Sequence, residues 1–298
     1  MSGEAGALEA RATQKRQLSL VIALCSVIFL VESVGGLISG SLALLSDAGH
    51  MLTDLLALVL SLMAVRFASL PATPEKTYGY HRLEILTALV NGTLLIVISA
   101  GLLYKAFRRF FEPLPIESRL MTGVALVGLL ANLAALRVLS QEHKSLNIRG
   151  ARMHILGDAL SSVGVVLAGL IIGATGWLRI DPVVAGLIAV IIVAGAVKLV
   201  REAVDVLLEA APDGIGLDDV SAAIGTVPGV VEVHDLHIWS ITTGLLALSG
   251  HVRVDDRRRV ECDAMLNRIK QTVLDRFGIV HTTIQIESCV YQELGDVH

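Results

Sequence analysis

Apolar residues run along this chain in long blocks from Leu18 to Leu208, then give way to shorter, patterned runs. Six blocks, near 18–39, 42–67, 83–106, 117–139, 149–175 and 182–207, are each long enough to cross a bilayer, since ~20 mostly apolar residues at ~1.5 Å rise traverse ~30 Å of hydrocarbon. Polar breaks separate them. "GGLISGS" predicts a tight turn after the first block, and "SLPATPEKTYGY", "FFEPLPIES" and "QEHKSLNIRG" read as loops. In "IDPVV", Asp181 is expected to cap the sixth helix at its N-terminus, with Pro182 at the first helical position. Beyond Leu208 the order is helix ("GLDDVSAAIGTV"), two β-rich runs joined around Thr242–Gly244, a helix ("ECDAMLNRIKQTVLDRFG") and a last alternating strand ("VHTTIQIESCV"). The pattern predicts an α-helical polytopic membrane protein of six transmembrane helices with a C-terminal α+β domain of order α-β-β-α-β. The expected boundaries are a tail over 1–17, a membrane domain over 18–208 and a cytoplasmic domain over 209–298.

Composition supports this partition. Hydrophobic residues make up 54% of the chain and charged ones 17%, with a mean hydropathy of +0.70, against ~25% charged in an ordinary soluble domain. The net charge of −4 averages two environments and indicates no partner; nothing in the chain points to nucleic acid. Cys25, Cys262 and Cys289 are isolated, which fits a reducing compartment and implies no disulfide framework. No secretory signal peptide is read at the N-terminus. With the N-terminus in the cytoplasm, that side gathers Arg11, Lys15, Arg16, Arg66, Lys76, Arg82, Lys144, Arg149, Arg152, Lys198 and Arg201. The other side holds Lys105, Arg108, Arg109, Arg119 and Arg179. The bias puts both termini inside, against the grain of the "YKAFRRFFEP" cluster.

The chemistry lies where two spans are interrupted. "SDAGHMLTD" places Asp47, His50 and Asp54 in the second span, and "RMHILGDAL" repeats His-x-x-x-Asp as His154 and Asp158 in the fifth. Residues i and i+4 share a helix face, so each His points with its Asp, and Asp47 shares that face or lines the approach to it. A charged group at membrane depth costs at least ~2.5–3.5 kcal/mol. Two imidazoles and two carboxylates from two helices offset that cost by closing around one divalent cation, tetrahedral Zn²⁺ most naturally. One such motif alone would serve as well for a helix contact or a proton relay; two in mid-span favour a metal. A closed four-ligand site holds an ion without activating water, which favours transport over catalysis. Because the ligands must be deprotonated, binding is linked to protons. An intramembrane zinc enzyme and a membrane-anchored metal sensor are the alternatives.

Six spans, "HMLTD" and "HILGD", and a C-terminal domain opening with "HDLHIW" resemble the cation diffusion facilitator family of zinc transporters, from about Leu18 to Cys289. The resemblance implies a homodimer in the membrane lipid that exports cytoplasmic Zn²⁺ in exchange for protons by alternating access. It implies a transport site at His50, Asp54, His154 and Asp158 and no organic cofactor. His in both motifs favours Zn²⁺, with Cd²⁺ or Co²⁺ as lesser substrates, over Mn²⁺. It also implies a metallochaperone-like cytoplasmic domain, with His234, His251 and Glu287 as one regulatory zinc site; the alternative is solvated strand histidines in a domain that only dimerises. Gln285 stands where the family can have His, and Cys262 and Asp263 where another His can sit, so a binuclear site is not expected. His237 and His281 are spare candidates. Arg82 is expected to pair with Glu209, by analogy with the family's charge interlock. A short loop with His143 alone looks bacterial, hence a plasma-membrane exporter.

The remaining polar positions have plainer readings. His81 is read as structural, for want of a neighbouring ligand. Gly36-x-x-x-Gly40 and Gly169-x-x-x-Gly173 form small-residue faces or are incidental. Glu32, Asn91 and Asn132, polar within spans, are expected to hydrogen-bond between helices, with an ion-pathway role as the minor reading.

Overall fold

The computed structural model describes residues 22–68, 70, 72–139, 146–255 and 262–288. The expected tail over 1–17, His143 and Cys289 lie outside the described residues, as do the side chains of Asp54 and His154. Six long helices come first: α1 (Ile22–Ser39), α2 (Leu42–Ala68), α3 (Leu83–Phe111), α4 (Ser118–Leu139), α5 (Leu146–Thr175) and α6 (Ile180–Leu207). Then follow α7 (Leu217–Gly225), β1 (Val230–Thr242), β2 (Leu245–Val254), α8 (Cys262–Phe277) and β3 (His281–Ser288). Two compact units result, one of residues 1–62 with 90–200, the other of 63–89 with 201–298.

Among the described residues, α1, α3, α4, α5 and α6 are long and apolar enough to cross a membrane. Helix α2, at 27 residues, is about 40 Å long at ~1.5 Å per residue and carries the polar interruption. The outward faces are apolar: Leu37, Leu160 and Ile191 are each about two-thirds exposed. In water so much exposed apolar surface would be a liability; in lipid it is the expected exterior. Of the five helices that meet the length and hydropathy of a span, α5 is the most enclosed, with 44% of its span buried against 22–28% for the other four. Small residues allow this. A methyl on Gly169 would lie 2.3 Å from Thr122 Oγ1 of α4, so the Gly169/Gly173 face is a packing face.

The turn between α1 and α2 is made by Gly40 alone, at φ +72°, while Gly35 and Gly36 are helical. A left-handed residue at a helix end is what glycine supplies at least cost. The start of α2 corrects one expectation. Asp181 does not cap its own helix, which begins one residue earlier at Ile180. Its carboxylate accepts the N–H groups of Leu42 at 2.8 Å and Ala43 at 3.1 Å, and the Ser41 hydroxyl at 2.6 Å. Ser41 Oγ in turn accepts the Leu44 N–H at 3.2 Å, and the N–H of Ser41 itself bonds Ser39 Oγ at 3.3 Å. All four N–H groups that a helix start leaves unpaired are thereby satisfied. The wholly buried carboxylate also sits at the positive end of the α2 dipole. Ser46 Oγ donates to the Ala185 carbonyl at 3.3 Å one turn on, so α2 and α6 are tied side by side from their first turns.

In the second unit, β1 and β2 form an antiparallel hairpin and β3 adds parallel to β2. One sheet face gives Ile238, Leu248, Val252 and Ile286 to a core closed by Val220 and Ile224 of α7 and Met265, Ile269 and Val273 of α8. The other face is polar, as strand alternation requires. Arg82 and Glu209 bond at 2.6 Å, and Thr242 Oγ1 donates to Glu84 Oε2 at 2.6 Å. The Arg82 pair is exposed, which limits its worth to about 0–1 kcal/mol.

The Asp181 clamp gives a direct expectation. Asp181→Ala strands two buried N–H donors and a hydroxyl, each costing about 1–3 kcal/mol, so the detergent-solubilised protein should unfold at a clearly lower temperature in a thermal melt. An unchanged midpoint would contradict the clamp.

Candidate metal sites

Helices α2 and α5 run antiparallel through the region of the two motifs, and three side-chain contacts join them there. Asp47 is 3% exposed, and its carboxylate accepts the Ser161 hydroxyl at 2.6 Å and the Ser162 hydroxyl at 3.4 Å. One turn along, His50 Nε2 lies 3.9 Å from Asp158 Oδ1. His50 is half-buried and Asp158 is 4% exposed. His50 sits nine residues beyond Ser41, about 13 Å into the helix at ~1.5 Å per residue, near the middle of a ~30 Å hydrocarbon layer. Asp54 and His154 occupy the expected helical positions, one turn beyond His50 on α2 and one turn before Asp158 on α5. Two serines of the facing helix hold Asp47.

A separation of 3.9 Å is too long for a hydrogen bond and short enough for both groups to reach one ion at ~2.0–2.2 Å. A cavity of about 320 Å³ reaches His50 between α5 and α6, past Ser161, Leu160, Leu187 and Ile191. Apart from the imidazole and the serine, its named lining is apolar.

In the cytoplasmic-type domain the sheet register sets His234 of β1 opposite His251 of β2, and Gln285 of β3 opposite His251. Glu287 follows two residues later on the same face. His234 Nε2 is 3.1 Å from Glu287 Oε2 and His251 Nδ1 is 2.9 Å from Glu287 Oε1. One ligand atom from each of the three lies within 4.8 Å of the others. Glu287 is 4% exposed, and Gln285 Nε2 donates to Glu287 Oε1 at 2.8 Å, so Gln285 orients the carboxylate. The strand is shaped for this. β1 breaks register between His234 and His237, with Asp235 at φ +47° and Leu236 lying over Gly250. Such a bulge re-aims side chains beside a site. It turns His237 toward Asp235, at 2.9 Å, and the three-residue cluster does not include it. His281 packs edge-on against Tyr78. Cys262 is half-buried at the start of α8. His81 lies in the turn before α3, its carbonyl accepting the Glu84 N–H.

Comparison with known proteins assigns the fold to a family. The sequence matches the cation efflux transmembrane domain over residues 18–208 and the cation efflux protein cytoplasmic domain over residues 212–289. The chain belongs to the cation efflux family of metal transporters. Among curated members, it is 41% identical over 274 residues to the metal cation efflux system protein CzcD of Cupriavidus metallidurans, covering 92% of this chain and 86% of that one. It is 37% identical to the cadmium, cobalt and zinc/H(+)-K(+) antiporter of Bacillus subtilis, covering 92% and 89%. It is 39% identical to the zinc transporter ZitB of Escherichia coli, covering 91% and 87%. As a member of the cation efflux family it is an integral membrane transporter of metal cations, not an enzyme.

Sequence reasoning missed Ser41, Ser161 and Ser162, which carry no motif, and gave Asp181 the wrong helix to cap. The bulge has a specific test. A methyl on Gly250 would lie 2.9 Å from Leu236 Cδ1, so Gly250→Val should push β1 off β2 and cost about 1–3 kcal/mol. A chemical unfolding curve identical to wild type would refute that packing.

Proposed function

We propose that the chain exports Zn²⁺, with Cd²⁺ and Co²⁺ as lesser substrates, from the cytoplasm in exchange for protons by alternating access. The transport site is His50, Asp54, His154 and Asp158. The observation that carries this reading is the approach of His50 on α2 to Asp158 on α5 at 3.9 Å, inside a bundle whose outward faces are apolar. A charged pair of this kind is costly in hydrocarbon unless it serves an ion, and the i, i+4 motif adds one further ligand from each helix. Two imidazoles with two carboxylates match zinc better than harder ions. The relatives' names support metal efflux, and the Bacillus relative's name pairs its metals with protons and potassium.

Exchange follows from ligand chemistry. A histidine must give up its proton to bind the ion. Opening the site toward a more acidic compartment therefore releases metal and reloads protons, and opening it toward the cytoplasm does the reverse. Each helix supplies two ligands, so a shift of α2 against α5 weakens the whole set together.

The protein resides in a bacterial inner membrane as a homodimer, with both termini in the cytoplasm. The basic flanks of the spans support that orientation. His234, His251 and Glu287 hold one regulatory zinc; the convergence of their ligand atoms within 4.8 Å supports this. Gln285 restrains Glu287 in the same way that outer-shell partners restrain metal ligands elsewhere.

The transport reading is tested by Zn²⁺ uptake into everted vesicles under a pH gradient. Asp158→Ala or Asp54→Ala should lower uptake by more than the ~10–100-fold that losing even an outer-shell partner costs, at unchanged membrane abundance. Wild-type uptake in either variant would exclude the assigned site. The cytoplasmic site is tested by metal content: Glu287→Ala in the full-length chain should bind one Zn²⁺ fewer per chain by calorimetry, and equal stoichiometry would leave those histidines without a ligand role.

A further inference from the structure

Buried polar groups that the metal route does not use gather beside it. Glu32 of α1 is 1% exposed, and among the described residues neither of its carboxyl oxygens has a hydrogen-bond partner. Asn132 of α4 is also 1% exposed; its amide N–H reaches Ser162 Oγ at 3.5 Å, while its carbonyl oxygen Oδ1 has no partner. Two observations bring them to one place. Gly128 lies one turn before Asn132 on the same face of α4, and a methyl there would sit 2.2 Å from Glu32 Oε1. The Glu32 head therefore rests on bare α4 backbone next to Asn132. The Ser162 hydroxyl that receives Asn132 also reaches Asp47 Oδ2 at 3.4 Å.

Four helices thus contribute to one buried cluster: Glu32 from α1, Asp47 from α2, Asn132 from α4 and Ser162 from α5. Leaving oxygens of this kind buried without partners costs about 1–3 kcal/mol apiece. The unpartnered atoms, both Glu32 carboxyl oxygens and Asn132 Oδ1, are all oxygens, and the four residues bring no imidazole and no sulfur. Such a set suits hard cations and is a poor competitor for zinc beside a histidine site.

We propose that Glu32, Asp47, Asn132 and Ser162 form a second intramembrane cation site, made of oxygen alone, for the hard monovalent ion that moves against the metal. The proposal deepens the antiport reading and rests on it. The shared ligand chemistry covers an alkali ion and hydronium. Ser162 Oγ also bonds the Asp158 carbonyl at 3.0 Å, so the oxygen cluster and the metal site meet at one turn of α5. Two cations that close in a low-dielectric interior repel strongly. Occupancy of one site therefore opposes occupancy of the other, which is the requirement for exchange. Gly128 and Asn132 keep the Glu32 head within this arrangement.

The test uses full-length protein in liposomes loaded with K⁺, Na⁺ or choline at matched pH, with a fourth arm carrying an acid interior and choline. Zn²⁺ uptake is the readout. In wild type, the arm that accelerates uptake over choline at matched pH identifies the counter-ion. Glu32→Gln and Gly128→Ala should each reduce that acceleration at least tenfold, while calorimetry shows Zn²⁺ bound with wild-type stoichiometry. The second variant displaces the carboxyl without removing it. If both variants keep wild-type acceleration, the oxygen site is overturned; if they lose zinc binding as well, the cluster only holds the fold and the proposal falls. If no arm accelerates wild-type uptake, it is the antiport reading that fails.

Discussion

Hydrocarbon does not solvate charge, and the membrane half of this protein is organised around that fact. Asp181, Asp47, His50 and Asp158 are either clamped by donors or face another group across helices, whereas Glu32 is buried with neither carboxyl oxygen hydrogen-bonded among the described residues. Asp181 is neutralised by a helix start and a hydroxyl, and Asp47 is held by two serines. His50 and Asp158 approach each other without a hydrogen bond at 3.9 Å. The first two arrangements are satisfied as they stand. The last is the approach on which the proposed transport site rests.

The clamps and the site form a ladder along α2. Ser41 and Ser46 fasten its first turns to α6, Asp47 fastens the next to α5, and the His50–Asp158 approach follows one turn later. Fixing the helix above the site sets the separation of α2 and α5 to a distance that a 2 Å metal bond can use. Further along the same face of α5, small residues let it pack closely on α4. A site of this kind draws its precision from rigid elements, with no loop in it.

Much of this was legible from sequence, because the signals are local. Block lengths give the spans, the i, i+4 spacing of His50 with Asp54 and of His154 with Asp158 gives shared faces, and strand alternation gives the order of the last domain. What escaped depends on distant partners. "IDPVV" has the form of a helix start, so Asp181 reads as its own cap; its actual partners stand 138–140 residues earlier. Ser161 and Ser162 look like ordinary small residues until Asp47 faces them. The turn after α1 was expected over "GGLISGS", yet only Gly40 needs a left-handed backbone. Glu32 and Asn132 were expected to bond across helices; Asn132 does so with its amide N–H, while Glu32 lies on Gly128 with both oxygens free.

The account stands on one ion held mid-membrane by two imidazoles and two carboxylates. The most direct measurement is zinc K-edge X-ray absorption on the Zn²⁺-loaded full-length chain carrying His234→Ala and His251→Ala, which leaves the membrane site as the ion's place. The account predicts four nitrogen or oxygen neighbours at ~2.0–2.2 Å with multiple scattering from two imidazole rings. A sulfur shell, a spectrum without imidazole, or no retained zinc would contradict it.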